Sequence, residues 1–298
     1  MTTAHDQLVR FLLPAAGVRG VHVRLDHSWT DLTAHIAYPP AATELLGQAM
    51  AACALLTGHI KVDGRLSLQL RSPGPLKTLF AECTANGDVR GIVRLDDGAD
   101  APRDLSDIVD GSMLAMTIEN PGLDPREPQR YQSFVNLGAS TLDGVLEDYF
   151  RQSEQLPTRL LLVADNGHVA GLMLQKLPGD AGDDDGWNRA GALFDTLGQA
   201  ELASTDANTL LLRLFHEEEP ELVGGKDLRF ACSCSYERVA GMLESIGKEE
   251  ALAAAEENGG EVEVRCEFCA KEYHFSLTDL NLMFSQSAAA ATGPEQLH

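Results

Sequence analysis

Four cysteines near the C-terminal end set the tightest limit on how this chain can fold: Cys232-Ser-Cys234 and, 31 residues later, Cys266-Glu-Phe-Cys269. The segment that carries them, Arg229 to about Phe284, holds few large apolar side chains in about 55 residues, too few for an unaided core. Two close thiol pairs brought together by folding supply four tetrahedral ligands to Zn²⁺, at about 2.3 Å per sulfur and without a histidine. A structural zinc site contributes about 10 kcal/mol or more of folding free energy. The segment is therefore expected to fold with its metal and to unfold without it. The same sulfurs also make two vicinal pairs open to oxidation. The residues by themselves leave three uses open: a zinc site that switches, a permanently structural zinc ribbon, and a thiol-disulfide oxidoreductase working through Cys266 and Cys269. The last is disfavoured, because this CxxC lacks the strand-to-helix setting that lowers a thiol pKa in thioredoxin-like proteins.

At 298 residues the chain suits a principal domain with smaller appendages. With 44% hydrophobic and 23% charged residues it reads as soluble and globular. A net charge of −22 and the lack of a basic stripe argue against nucleic acid as a partner. The opening Met1-Thr-Thr-Ala-His-Asp6 is not a signal peptide, and no 18-residue apolar run is present to span a bilayer. The expectation is a cytoplasmic protein, with no membrane partner, whose thiols stay reduced.

Residues 1–178 are expected to form an α+β domain with a mixed, largely antiparallel sheet and packed helices. Val21, Val23 and Leu25 alternate with polar residues, as do Leu66, Leu68 and Leu70, the period of half-buried strands. Further strands are expected at 76–84, 89–95, 113–118 and 131–137. Strands at 159–164 and 169–175 flank Asn166-Gly167, a two-residue hairpin turn. Helices are expected from Ala41 to about Ile60, opened by Pro39-Pro40, and from Thr141 to about Gln155, stopped by Pro157.

Residues 179–228 change character. Between Asp180 and Leu228, 12 acidic residues face three basic ones, a net of −9. Yet Trp187, Leu193, Phe194 and Leu197 recur at helical spacing, followed by Leu210, Leu211, Leu212, Leu214 and Phe215. This predicts a metastable acidic linker of amphipathic helices, its apolar face needing a support while its charge resists compaction. Residues 229–286 form the small C-terminal zinc-binding domain, and 287–298, rich in alanine, read as a disordered tail.

Glu147-Asp148-Tyr149-Phe150-Arg151-Gln152-Ser153-Glu154-Gln155-Leu156-Pro157-Thr158 resembles the characteristic motif of the heat-shock protein 33 family. The cysteine arrangement is similar too, as are His5-Asp6-Gln7-Leu8 with Arg10-Phe11, Val18-Arg19-Gly20, Gly171-Leu172-Met173-Leu174-Gln175 and Leu214-Phe215-His216-Glu217-Glu218-Glu219. The resemblance runs from about His5 to Phe284 in the family's order. It implies a redox-regulated, ATP-independent holdase chaperone rather than an enzyme, with unfolding proteins as clients. It also implies that Cys232, Cys234, Cys266 and Cys269 hold zinc in the reduced, inactive form. Oxidation would then form Cys232–Cys234 and Cys266–Cys269, release zinc, unfold the switch domain and linker, and leave an active homodimer.

The two pairs are not expected to be equivalent, because a disulfide across Cys266 and Cys269 closes a less strained ring than one across Cys232 and Cys234. Ala270 stands where a glycine often follows the last ligand of a zinc knuckle, so its turn is expected to differ. Cys53 and Cys83 read as small buried hydrophobes. His274, five residues past Cys269, reads as an ordinary strand residue. Glu147, Asp148 and Glu154 read as a solvated helix face with no nucleophile or metal motif beside them.

Overall fold

The helix expected after Pro39 runs from Pro40 to His59, and 14 of its 20 residues are buried. Apolar residues lie all round it, the mark of a helix enclosed on every side. The computed structural model describes residues 6–124, 127–165, 167–179 and 182–291, and it divides into two compact units, Met1–Ala231 and Cys232–His298.

In the first unit, strands β1 (Asp6–Leu13) and β2 (Val18–Leu25) make a hairpin and lead through helix α1 (His27–Thr33) to the enclosed helix, α2 (Pro40–His59). Five strands follow: β3 (Arg65–Arg71), β4 (Leu76–Thr84), β5 (Asp88–Leu95), β6 (Met113–Asn120) and β7 (Gln129–Val135). Helix α3 (Leu142–Tyr149) then precedes the hairpin of β8 (Thr158–Asp165) and β9 (His168–Lys176). The expected linker contains α4 (Gly186–Phe194), α5 (Gln199–Ser204), α6 (Ala207–Phe215) and a strand, β10 (Glu221–Asp227), and a two-residue strand, β11 (Arg229–Phe230), follows it.

These strands build two sheets. One has the order β10-β1-β2-β9-β8 and is antiparallel throughout. The other has the order β11-β5-β4-β3-β6-β7, with β11 parallel to β5 and the rest antiparallel. Helix α2 packs against strands of both sheets. Its alanines and Gly47 permit the close approach: a Cβ on Gly47 would lie 2.5 Å from Ala164 Cβ and 2.8 Å from Val169 Cγ2. The mixed α+β architecture expected from the sequence is thus the one observed.

The second helix departs from its expected form. α3 ends at Tyr149, and Phe150–Glu154 continue as a π-turn closed by Gln155 at φ 56°. Thr141 caps its start by accepting from the Gly144 N–H, and Tyr149 and Phe150 are buried. The expected solvated face of this motif is only partly so. Glu147 accepts a 2.6 Å hydrogen bond from the Leu160 N–H and so ties α3 to β8, whereas Asp148 pairs with Arg151 at the surface. Burial raises the Glu147 carboxyl, opposed by that hydrogen bond. Cys53 and Cys83 are fully buried, in α2 and β4. Asn166 of the expected hairpin turn lies outside the described residues, and Gly167 adopts φ 86°.

The second unit has helices α7 (Tyr236–Ile246) and α8 (Lys248–Glu257), the hairpin β12 (Glu261–Arg265) and β13 (Glu272–Ser276), and helix α9 (Leu277–Ala291). Its core is small: Leu243, Ala251, Ala255, Val262, Tyr273, Phe275 and Leu280 are buried together. The backbone expected to be a tail from Ser287 is helical as far as Ala291, and 292–298 lie outside the described residues.

Candidate metal centre and the docked linker

The four C-terminal cysteines come from two loops. Cys232 and Cys234 lie just before α7, whose first turn is capped by Ser235, and Cys266 and Cys269 lie in the turn between β12 and β13. All four sulfurs fall within 4.8 Å of one another, with Cys232 and Cys266 Sγ 3.6 Å apart and Cys234 and Cys269 Sγ 3.4 Å apart. Tetrahedral thiolates about 2.3 Å from a common zinc would be about 3.8 Å apart, so the cluster fits that ion. None of the six cysteines is in a disulfide.

The turn holding the second pair is closed by two backbone hydrogen bonds, Ala270 N–H to Cys266 O at 2.8 Å and Cys266 N–H to Lys271 O at 2.9 Å. Ala270 takes φ 56°, the left-handed conformation that glycine adopts without cost. The alanine therefore keeps the glycine-type turn rather than changing it. His274 sits on β13 with its Nδ1 3.2 Å from Glu261 Oε1, outside the cluster.

The four sulfurs are electrostatically unequal. Burial, followed by the sulfur contacts within the cluster, pushes the Cys232 thiol up, and burial raises Cys269 as well. Burial would also raise Cys234, but the Tyr273 hydroxyl, donating to its sulfur at 3.1 Å, and the neighbouring cysteines bring it down to about 7. Four thiolates this close repel one another, and only a bound cation lets all of them ionise together. Tyr273 was not legible as part of the site. It is four residues past Cys269 in a strand pattern, and only the β12–β13 hairpin turns its hydroxyl toward Cys234.

The acidic linker lies against the five-stranded sheet on the face opposite α2. Phe11, Leu13, Val18, Val163, Leu172 and Leu174 of the sheet form one buried cluster with Phe194, Leu202, Leu210, Leu211, Leu214 and Phe215 of α4 to α6. Phe11 and Phe215 stack with ring centroids 6.2 Å apart and planes 26° from parallel. The linker begins close against the β1–β2 turn, where a Cβ on Gly186 would lie 2.4 Å from Ala16 Cα. Of the apolar residues expected to need a support, Leu212 alone among Leu210–Phe215 faces outward, at 60% exposure.

Two polar features of this interface escaped the sequence reading. Arg189 on α4 donates to Glu218 through Nε at 2.8 Å and Nη2 at 3.0 Å, and also binds both carboxylate oxygens of Asp183 at 2.9 Å. The Glu218 side chain is only 5% exposed, so this arginine neutralises a buried charge. His22, on β2, is 1% exposed, and neither ring nitrogen has a hydrogen-bond partner. Within a strand that alternates Val21, His22, Val23 and Arg24, the period puts its ring opposite Val21 and Val23, and that face is the one the linker covers.

Residues 6–276 match the family model described as Hsp33 protein. A 33 kDa chaperonin of Ectopseudomonas mendocina is 42% identical over 295 residues, covering 96% of this chain and 98% of its own. One from Azotobacter vinelandii is 41% identical over 292 residues, covering 96% and 97%. The crystal structure of the 33 kDa chaperonin, a heat shock protein 33 homolog, from Thermotoga maritima covers 96% of this chain and 99% of its own. It superposes with a TM-score of 0.76 at 21% identity, a likeness of fold. By its family match and its curated relatives, the chain belongs to the Hsp33 family of chaperones.

Proposed function

We propose that this chaperone is a redox-regulated, ATP-independent holdase in which Cys232, Cys234, Cys266 and Cys269 are both the zinc ligands and the switch. The observation that carries the reading is the convergence of the four free sulfurs within 4.8 Å in a unit whose own core is small. A second observation supports it: an acidic helical linker covers an apolar sheet face in the first unit.

In the reduced state the four sulfurs would hold zinc, which keeps them deprotonated and ties the two loops together. A peroxide transfers one oxygen to a thiolate, giving a sulfenic acid and hydroxide. The neighbouring thiolate then attacks that sulfur and displaces a second hydroxide, leaving a disulfide. Closing Cys266–Cys269 and then Cys232–Cys234 removes all four ligands. The C-terminal unit loses the interaction that held it folded, and the linker, which runs through β10 and β11 into Cys232, follows it. Undocking uncovers Phe11, Leu172 and Leu174, an apolar patch of the kind that binds unfolding proteins. The oxidised form acts as a homodimer and carries out no catalysis. Among the described residues no helix is long and apolar enough to cross a membrane.

Zinc quantification with a metallochromic dye, run beside light scattering of a heat-denatured client before and after peroxide at elevated temperature, tests the proposal. Zinc release together with suppressed scattering is the expected result. Release without suppression would identify a structural zinc ribbon instead.

A further inference from the structure

We propose that protonation of His22 is a second, thiol-independent trigger, so that acid alone releases the linker and makes the reduced chaperone bind unfolding proteins. The inference rests on the reading that the linker covers the client surface. Its origin is a buried imidazole with no partner at the interface that must open.

His22 sits centrally on the linker-facing side of the five-stranded sheet. Val9 of β1 and Leu172 of β9 flank it in register, and Phe11 and Leu174 on the same face are buried under the linker helices. Both ring nitrogens are buried and unbonded, so no hydrogen bond stabilises an imidazolium in the docked state. The charged groups around it do not compensate. Arg24, on its own strand and the same face, is of like sign, and its guanidinium is held by Asp26 at 2.7 Å. Among the described residues Asp206, at the N-terminal cap of α6, is the acid whose charge favours protonation of the ring, and its carboxylate already accepts from the Thr209 N–H. On the remaining linker helices, Glu201 of α5 is engaged with Arg213 of α6, and Arg189 of α4 with Glu218.

The net effect is that burial, then Arg24, lowers His22 from 6.5 to about 4, against a smaller opposing pull from Asp206. Once the linker lifts, the ring meets water and returns toward its ordinary value. The docked state therefore binds fewer protons than the undocked one. Docking is at full strength above pH 6.5, weakens as the pH falls below that value, and levels off near pH 4. The window corresponds to about a 300-fold change in the docking equilibrium, of which about thirtyfold is reached by pH 5.

The test uses the full-length, zinc-loaded, reduced protein. Docking is read from urea titrations of tryptophan emission, with Trp187 on α4 as the reporter and Trp187→Phe to assign the signal, at pH 7.5 and pH 5.0. Zinc and free thiols are measured in the same samples. The expected result is about a thirtyfold weaker docking equilibrium at pH 5.0 with zinc and thiols intact, abolished in His22→Leu, and lower client scattering at pH 5.0 with the natural chain than with the variant. His22→Phe, closer to the imidazole in shape, serves if the leucine chain does not fold. Equal pH responses in natural and variant chains, or a response that tracks zinc loss, would overturn the proposal. Client protection by both chains after peroxide at pH 7.5 tests the thiol switch separately, so either reading can fail alone.

Discussion

The acidic linker and the C-terminal unit are both short, charged stretches with little core of their own, and they solve that problem in opposite ways. The linker borrows a surface: its apolar helix faces are buried against β1, β2, β8 and β9, and among its described acidic residues all but the buried Glu218 are exposed or half-exposed. The C-terminal unit brings four sulfurs from two loops within 4.8 Å beside a core of seven buried residues, among them one tyrosine and one phenylalanine, and in the proposed function a metal crosslinks them. Burial of apolar area is distributed and yields gradually to any mutation. A metal site is concentrated in four atoms and yields as soon as its ligands react. In the function proposed above, placing the concentrated kind next in sequence to the distributed kind gives a two-electron event per pair control over a large surface.

The two regions should part most sharply when the C-terminal unit is denied a metal. A strong chelator added to the reduced chain should unfold 232–291, a loss of about 10 kcal/mol or more. Amide exchange should then show β12, β13 and α8 unprotected while β2 to β4 stay protected. Retained protection in β12 and β13 would mean that the small core suffices.

A smaller effect is expected from Arg189→Leu, which leaves Glu218 buried without its cation. Breaking a buried pair is costly because the remaining charge keeps no partner, and the partly exposed position of Arg189 moderates that cost here. The linker should melt at lower urea with zinc retained, and the reduced chain should gain partial chaperone activity. Unchanged linker stability would show that apolar burial alone holds it.

The smallest expected effect is a gain. Ala270→Gly relieves the left-handed strain at φ 56° and should stabilise the zinc-bound C-terminal unit by about 1 kcal/mol, read as a higher thermal midpoint. No gain would mean that the hairpin bonds to Cys266 and Lys271 absorb the strain.

Much of the first unit was legible because its strands are half-buried and its periods are clean. β4 begins and ends at Leu76 and Thr84 as the pattern implies, and α2 begins one residue before the expected Ala41 and ends one before Ile60. β1 and β10 were not read. β10, Glu-Leu-Val-Gly-Gly-Lys-Asp, is an exposed edge strand with no apolar face, so only its pairing with β1 defines it. α3 stops short of Gln155 because Tyr149 and Phe150 turn into the core, which favours the π-turn over another turn of α-helix.

The sequence by itself determined the four cysteines as one cluster, helices within the acidic linker, and α2 as a helix, because spacing and apolar period are local properties of the chain. Only the tertiary structure decided which sheet face the linker covers, that Tyr273 rather than His274 reaches the sulfurs, and that His22 and Glu218 lie buried at the linker interface. Those facts depend on which distant segments meet, and the desolvation that makes a buried imidazole or carboxylate consequential exists only once they have met.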